Sequence, residues 1–130
     1  MAARILVVDD DPDIVEGLKL TLESAGYEVL SASNGEKGLD LARNEKPDLI
    51  LLDVMMATLS EGFHVAYELK QDPVLKAIPI IMVTAVGKES GMDFAKEAGT
   101  DYIRAEAFLE KPVEPKKLLE TVKKFLKKKP

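Results

Sequence analysis

Four carboxylates stand where they could act together. Asp9, Asp10 and Asp11 follow the apolar run Ile5-Leu6-Val7-Val8, and Asp53 follows Leu49-Ile50-Leu51-Leu52. If both runs are parallel strands of one buried sheet, their carboxyl ends share an edge, which is where open α/β sheets place their ligands. Acids from two distant segments then converge, and close carboxylates oppose one another's ionisation unless a cation sits among them. A hard divalent ion with oxygen ligands, magnesium above all, meets that need. Three further residues fall on the same edge: Thr84 after the run 78–83, Lys111 after the run 107–109, and Pro112 beyond it. One carboxylate as nucleophile, others with a metal to hold phosphoryl oxygens, and a hydroxyl and an ammonium as donors form a coherent set. Phosphoryl transfer is mostly positioning and charge neutralisation, so this set suffices for it.

Such convergence needs a scaffold, and strand and helix signals alternate along the chain. Residues 4–8 read as a buried strand, followed by a helix from Pro12 with Ile14, Leu18 and Leu22 at spacing four and a stop at Gly26. Residues 27–32 read as a second strand. Asn34 then caps a helix that turns Leu39 and Ala42 inward, and Pro47 closes the loop before the third strand. Gly62 opens a helix with Phe63, Ala66, Tyr67 and Lys70 that stops near Asp72-Pro73. Residues 78–83 form a fourth strand, 89–98 a fourth helix and 107–109 a short fifth strand. The last helix begins near Glu114-Pro115 and buries Leu118, Leu119, Val122, Phe125 and Leu126. Five strand-helix units predict a doubly wound α/β domain: a five-stranded parallel sheet flanked by five helices.

Composition narrows the function classes. A chain of 130 residues holds one ordinary core; 46% apolar and 32% charged residues place it among soluble globular domains. Cysteine is absent, which excludes disulfides and thiolate metal sites. No stretch approaches the ~20 apolar residues of a membrane span, and the first apolar run is too short for a signal-peptide core. A cytoplasmic location without membrane insertion is expected. A net charge of -5 argues against nucleic acid as a direct ligand. Lys123-Lys124 and Lys127-Lys128-Lys129 read as a solvated helix end whose cations offset the negative helix terminus.

The acids after strand one, the segment Leu51-Leu52-Asp53-Val54-Met55-Met56, Thr84-Ala85 and Lys111-Pro112 occur in this order over nearly the whole chain. In these motifs the sequence resembles the receiver domains of response regulators, the CheY-like, flavodoxin-like phosphoacceptors of two-component signalling. The resemblance covers residues 3 to 127, and the expectation is a single receiver domain over residues 1–130 with no output domain, either a stand-alone regulator or a receiver excised from a longer chain. It implies that Asp53 accepts a phosphoryl group from a sensor histidine kinase or phosphotransfer protein. Asp10 and Asp53 would ligate magnesium through carboxylates, Met55 through its backbone carbonyl and Asp9 through a water, with Thr84 and Lys111 on the phosphoryl oxygens. Switching would couple Thr84 to Phe108 and alter the surface around the fourth helix, fifth strand and last helix. A downstream protein target would read that surface, and the resemblance leaves room for a phosphorylation-dependent homodimer. Met55 and Val86 would flank the attacking water and can neither orient nor activate it, which predicts slow self-dephosphorylation.

Some residues depart from the pattern or take other roles. Ala57 stands where the family has proline, and Gly62 comes one residue late, which predicts an unusual loop over Thr58 to Glu61. The segment between Gly99 and Lys111 runs long, predicting an extra turn before strand five. Asp11, just before Pro12, reads as a helix cap rather than a ligand. His64 is assigned no role. Two other functions compete with this reading. One is a haloacid-dehalogenase-type phosphohydrolase with Asp9 as nucleophile, which leaves Asp53 and Lys111-Pro112 unexplained. The other is a receiver-like interaction module that works without phosphorylation, which the presence of every required residue disfavours.

Overall fold

The computed structural model describes residues 3–53, 59–84, 107–110 and 113–127. Five strands, β1 (Arg4–Val8), β2 (Glu28–Ala32), β3 (Leu49–Asp53), β4 (Ile80–Thr84) and β5 (Ala107–Glu110), pair in parallel in the order β2-β1-β3-β4-β5. The helices are α1 (Pro12–Ser24), α2 (Gly35–Glu45), α3 (Leu59–Gln71) and, after β5, α4 (Pro115–Lys127). This is the doubly wound α/β sheet that the alternating pattern predicts. The helix expected over 89–98 and the turn expected before β5 lie outside the described residues.

Strands β1 and β3 are apolar almost throughout because both their faces are covered. Leu6, Val8, Ile50 and Leu52 pack on one side with Ala42 of α2 and Val65, Ala66 and Leu69 of α3. Ile5, Val7, Leu49 and Leu51 pack on the other with Leu18 and Leu22 of α1 and Leu118 and Val122 of α4. The expected inward stripes are therefore present, with Leu39, Leu119, Phe125 and Leu126 at their half-buried margins.

Caps set the helix ends. The Asp11 side chain accepts a hydrogen bond from the Asp13 amide at 2.9 Å, with Pro12 in the first turn, so Asp11 is the cap it was expected to be. Asn34 likewise accepts from the Lys37 amide at 2.8 Å. Beyond α1 the chain turns through Gly26, whose φ of 95° favours glycine.

Three boundaries differ from expectation. Tyr27 does not join β2, because its amide donates to the Leu22 carbonyl at 3.1 Å in the wrap after α1. Helix α3 starts at Leu59, so residues 59–61 are helical rather than loop, and Gly62 lies inside the helix. Leucine and glutamate favour helix, and the buried Val65, Ala66 and Leu69 outweigh the glycine. Strand β4 begins at Ile80 rather than at 78. Leu75–Ala77 form a 3-10 turn that the Ile78 amide closes, and Pro79 has no amide to donate to the ladder. Pro79 contributes only its carbonyl, which accepts from the Ile50 amide at 3.0 Å. Lys70 secures this connection, its Nζ donating to the carbonyls of Lys76 and Ile78, each at 3.2 Å.

Candidate metal and phosphoryl site

Strand register builds the site. Val8 is paired with Leu52, so the next residues in each strand direction, Asp9 and Asp53, come abreast on neighbouring parallel strands about 4.8 Å apart. The register is held from the opposite edge of the sheet. The Arg4 amide donates to Asp48 Oδ2 at 2.8 Å, and the Asp48 amide returns a bond to the Arg4 carbonyl at 2.8 Å. The Arg4 guanidinium also reaches Glu45 at the end of α2, pairing with its carboxylate at 3.0 Å and donating to its carbonyl.

Asp9 and Asp53 are 3% and 2% exposed, whereas Asp10 is open to solvent. One carboxylate oxygen from each of the three lies within 4.8 Å of the others. Asp9 is fixed twice: its amide extends the ladder to the Ala32 carbonyl at 3.1 Å, and its Oδ1 accepts from the Asp11 amide at 2.9 Å. With Asp11 bonded to the Asp13 amide, two successive Asx turns lead the chain from β1 into α1. Two buried carboxylates and one exposed carboxylate in this arrangement form an all-oxygen donor set suited to a hard cation such as magnesium.

Other expected residues meet the same edge through the backbone. Asp53 pairs with Val83 and Thr84 pairs with Glu110, so Thr84 ends β4 one step beyond Asp53. Lys111 follows the last residue of β5 in sequence and lies outside the described residues, as do Met55, Ala57, Val86 and Pro112. Phe108 occupies the second position of β5, paired with Met82. His64 is on the exposed face of α3, its Nε2 3.8 Å from Glu68, and is not among the clustered acids.

Gly38 escaped the sequence reading. A Cβ there would stand 2.9 Å from Val8 Cγ2, so the absence of a side chain lets α2 close against β1 one residue before Asp9. A glycine within a helical pattern is the signal that could have revealed this close approach. An open groove of ≈ 830 Å³ also runs from Asp9 and Asp10 between α1 and α2, over Ser31 and Ser33 and past Lys19 and Lys37.

The order of strands, the paired acidic strand ends and the capped entry to α1 coincide with a match to the response regulator receiver domain over residues 5–123. The chain belongs to that family. This receiver domain is 41% identical over 124 residues to the protein PilH of Pseudomonas aeruginosa, covering 95% of the chain and 98% of PilH. It is 41% identical over 127 residues to the alkaline phosphatase synthesis transcriptional regulatory protein PhoP of Bacillus subtilis, covering 98% of the chain but 50% of PhoP. Among solved structures, a CheY-like response regulator receiver domain protein from Methanospirillum hungatei superposes with a TM-score of 0.81 at 34% identity, covering 98% of this chain and 95% of that one. No helix among the described residues is long and apolar enough to cross a membrane.

Proposed function

We propose that this receiver domain takes a phosphoryl group onto Asp53 from a histidine kinase or a phosphotransfer protein in the cytoplasm, and that magnesium is required. The observation that carries the reading is the convergence of Asp9, Asp10 and Asp53 to within 4.8 Å at the carboxyl ends of adjacent strands. An Asp53 oxygen attacks phosphorus, the new O–P bond forming as the donor's P–N bond breaks and its imidazole leaves with the bonding electrons. The strand ladder holds Asp53 at the carboxyl edge of the sheet, and such positioning is the larger part of what a transfer of this kind requires. Asp10, Asp53 and the Met55 carbonyl would hold magnesium, with Asp9 acting through a water. Bound magnesium neutralises charge on the carboxylates and phosphoryl oxygens. Thr84 and Lys111 donate to the same oxygens. Movement of Thr84 toward them draws Phe108 inward and alters the surface of residues 89–98, β5 and α4 that a downstream protein reads. The domain is a phosphoacceptor that modifies itself, not an enzyme that turns over a separate substrate.

The test is intact mass after incubation with magnesium and acetyl phosphate, in parallel with beryllium fluoride binding, for wild type and Asp53→Asn. The expected result is a magnesium-dependent gain of one phosphoryl group that Asp53→Asn abolishes. Modification that survives in Asp53→Asn and disappears in Asp9→Asn would make Asp9 the nucleophile and the protein a phosphohydrolase. Magnesium binding with neither modification nor mimic binding would leave an interaction module.

A further inference from the structure

Strand β2 ends the sheet on one side, and its pairing shows which of its backbone groups point outward. The Glu28 amide donates to the Ala3 carbonyl at 2.9 Å, and the Ala32 carbonyl accepts from the Asp9 amide at 3.1 Å. Residues 28, 30 and 32 therefore turn their peptide groups toward β1. Successive residues of a strand alternate, so the amides and carbonyls of Val29 and Ser31 point away from the sheet, on the side where no described strand follows. Such an edge is a template for another extended chain.

The ≈ 830 Å³ groove lies along this edge. Helices α1 and α2 pack on opposite faces of the sheet, yet both line it. Pro12, Glu16 and Lys19 belong to one wall and Lys37, Leu41 and Asn44 to the other, each set at the three- and four-residue spacing of a single helix face. Ser31, Ala32 and Ser33 lie between the walls, so the groove runs round the end of the sheet with β2 at its floor. A strand of four or five residues, at ~3.3 Å per residue, ~4.8 Å from its neighbour and in a layer ~10 Å thick, occupies roughly 600 to 800 Å³. The groove thus has room for one bare strand. It has none for the edge of another helix-flanked sheet, which excludes a second copy of this fold and leaves a single extended segment of a partner protein. The lining sets the charge of that segment. Asp9 and Asp10 at the mouth, with Glu16 and Asp40 in the walls, outnumber Lys19 and Lys37, while the half-buried Val15 and Leu41 offer an apolar contact on each side. Alternate side chains of an inserted strand point to opposite walls, so alternating basic and apolar residues fit.

We propose that the β2 edge between α1 and α2 binds an extended, basic segment of a partner protein by strand addition. The backbone of Val29 and Ser31 supplies the hydrogen bonds, and the acidic lining selects the charge. This does not rest on phosphorylation of Asp53. The probe is the peptide acetyl-Lys-Val-Lys-Val-Lys-amide, titrated by NMR in the presence of magnesium so that the clustered acids are not what its lysines read. The amides of Val29 and Ser31 are expected to shift saturably, and hydrogen exchange at Ser31 to slow. A peptide with glutamate in place of lysine, or one N-methylated at every peptide bond, is expected not to bind. Ser31→Pro removes an outward amide and leaves the ladder to β1 intact, so it is expected to fold and to lose the peptide. Glu16→Lys/Asp40→Lys is expected to exchange the preference, taking the glutamate peptide and refusing the lysine one, which a damaged protein would not do. No saturable shift at Val29 and Ser31 overturns the proposal, as does equal binding of the lysine, glutamate and N-methylated peptides. Undiminished binding by a folded Ser31→Pro, or a double variant that keeps the wild-type preference, overturns it as well. Shifts confined to Asp9, Asp10 and Asp53 overturn it too, and assign the lysines to the clustered acids.

Discussion

Asp11 shows how neighbouring acids of one run divide their work. Its carboxylate is committed to the Asp13 amide and its own amide to Asp9 Oδ1, so it ties the site to α1 without joining the cluster of Asp9, Asp10 and Asp53. Asp11→Ala is expected to lower stability by about 1 kcal/mol, as for loss of a helix cap, with magnesium affinity close to wild type. Urea unfolding and a magnesium titration separate the two effects; a collapse of affinity with stability unchanged would make Asp11 a ligand. The same local logic bears on the lifetime of the phosphorylated state. In the proposed reading Met55 and Val86 flank the attacking water, and neither side chain is an acid or a base, so phosphoaspartate is expected to persist well beyond seconds at neutral pH. Its decay, followed by intact mass after removal of the phosphodonor, is the check, and a lifetime of seconds refutes the expectation. The acids were legible in the sequence because each ends a strand so apolar that it has to be buried. The anchoring of Asp9 was less visible, since it depends on an amide two residues on rather than on another side chain.

Two helix glycines make opposite demands on their elements. Gly38 faces Val8 at a distance no side chain tolerates, whereas Gly17 in α1 faces nothing within 4 Å. Gly38→Ala gains about 1 kcal/mol of helix propensity but overpacks a stiff, buried valine at a cost of about 1–3 kcal/mol, so net destabilisation is expected. Gly17→Ala gains the propensity without the clash and is expected to stabilise the fold by about 0.5–1 kcal/mol. Urea midpoints of the two variants check both signs, and stabilisation by Gly38→Ala would mean that α2 does not seat against β1 as described. Elements were legible to the extent that one local signal dominated. The runs ending at Val8 and Leu52, and the caps at Asp11 and Asn34, placed β1, β3, α1 and α2 closely. Around Gly62 and Ile78 the signals competed. A glycine looked like a helix start although buried packing carries α3 through it, and Ile78 looked like strand although its amide closes a 3-10 turn.

At the scale of the whole molecule, folding itself assembles the charge cluster. Asp53 is far in sequence from the adjacent Asp9 and Asp10 and joins them within 4.8 Å only when β1 and β3 pair, so the native state bears a repulsion that the unfolded chain lacks. A cation that binds the cluster binds the folded state alone, and stability rises with the logarithm of its concentration. At a hundred times its dissociation constant, magnesium is expected to add about 2.7 kcal/mol, which for a chain of this length raises the thermal midpoint by roughly 10 °C. Asp10→Asn separates this linkage from a general salt effect. Asp10 is exposed, so the substitution leaves the core intact while removing one of three mutually repelling charges. Without magnesium the variant is expected to be more stable than wild type, by an amount of order 1 kcal/mol at the separations found here. With magnesium the order reverses, because wild type gains the binding energy and the variant loses most of it. Thermal unfolding of both proteins in magnesium and in chelator measures all four states. Parallel shifts of the two proteins would mean that the three carboxylates do not share a metal.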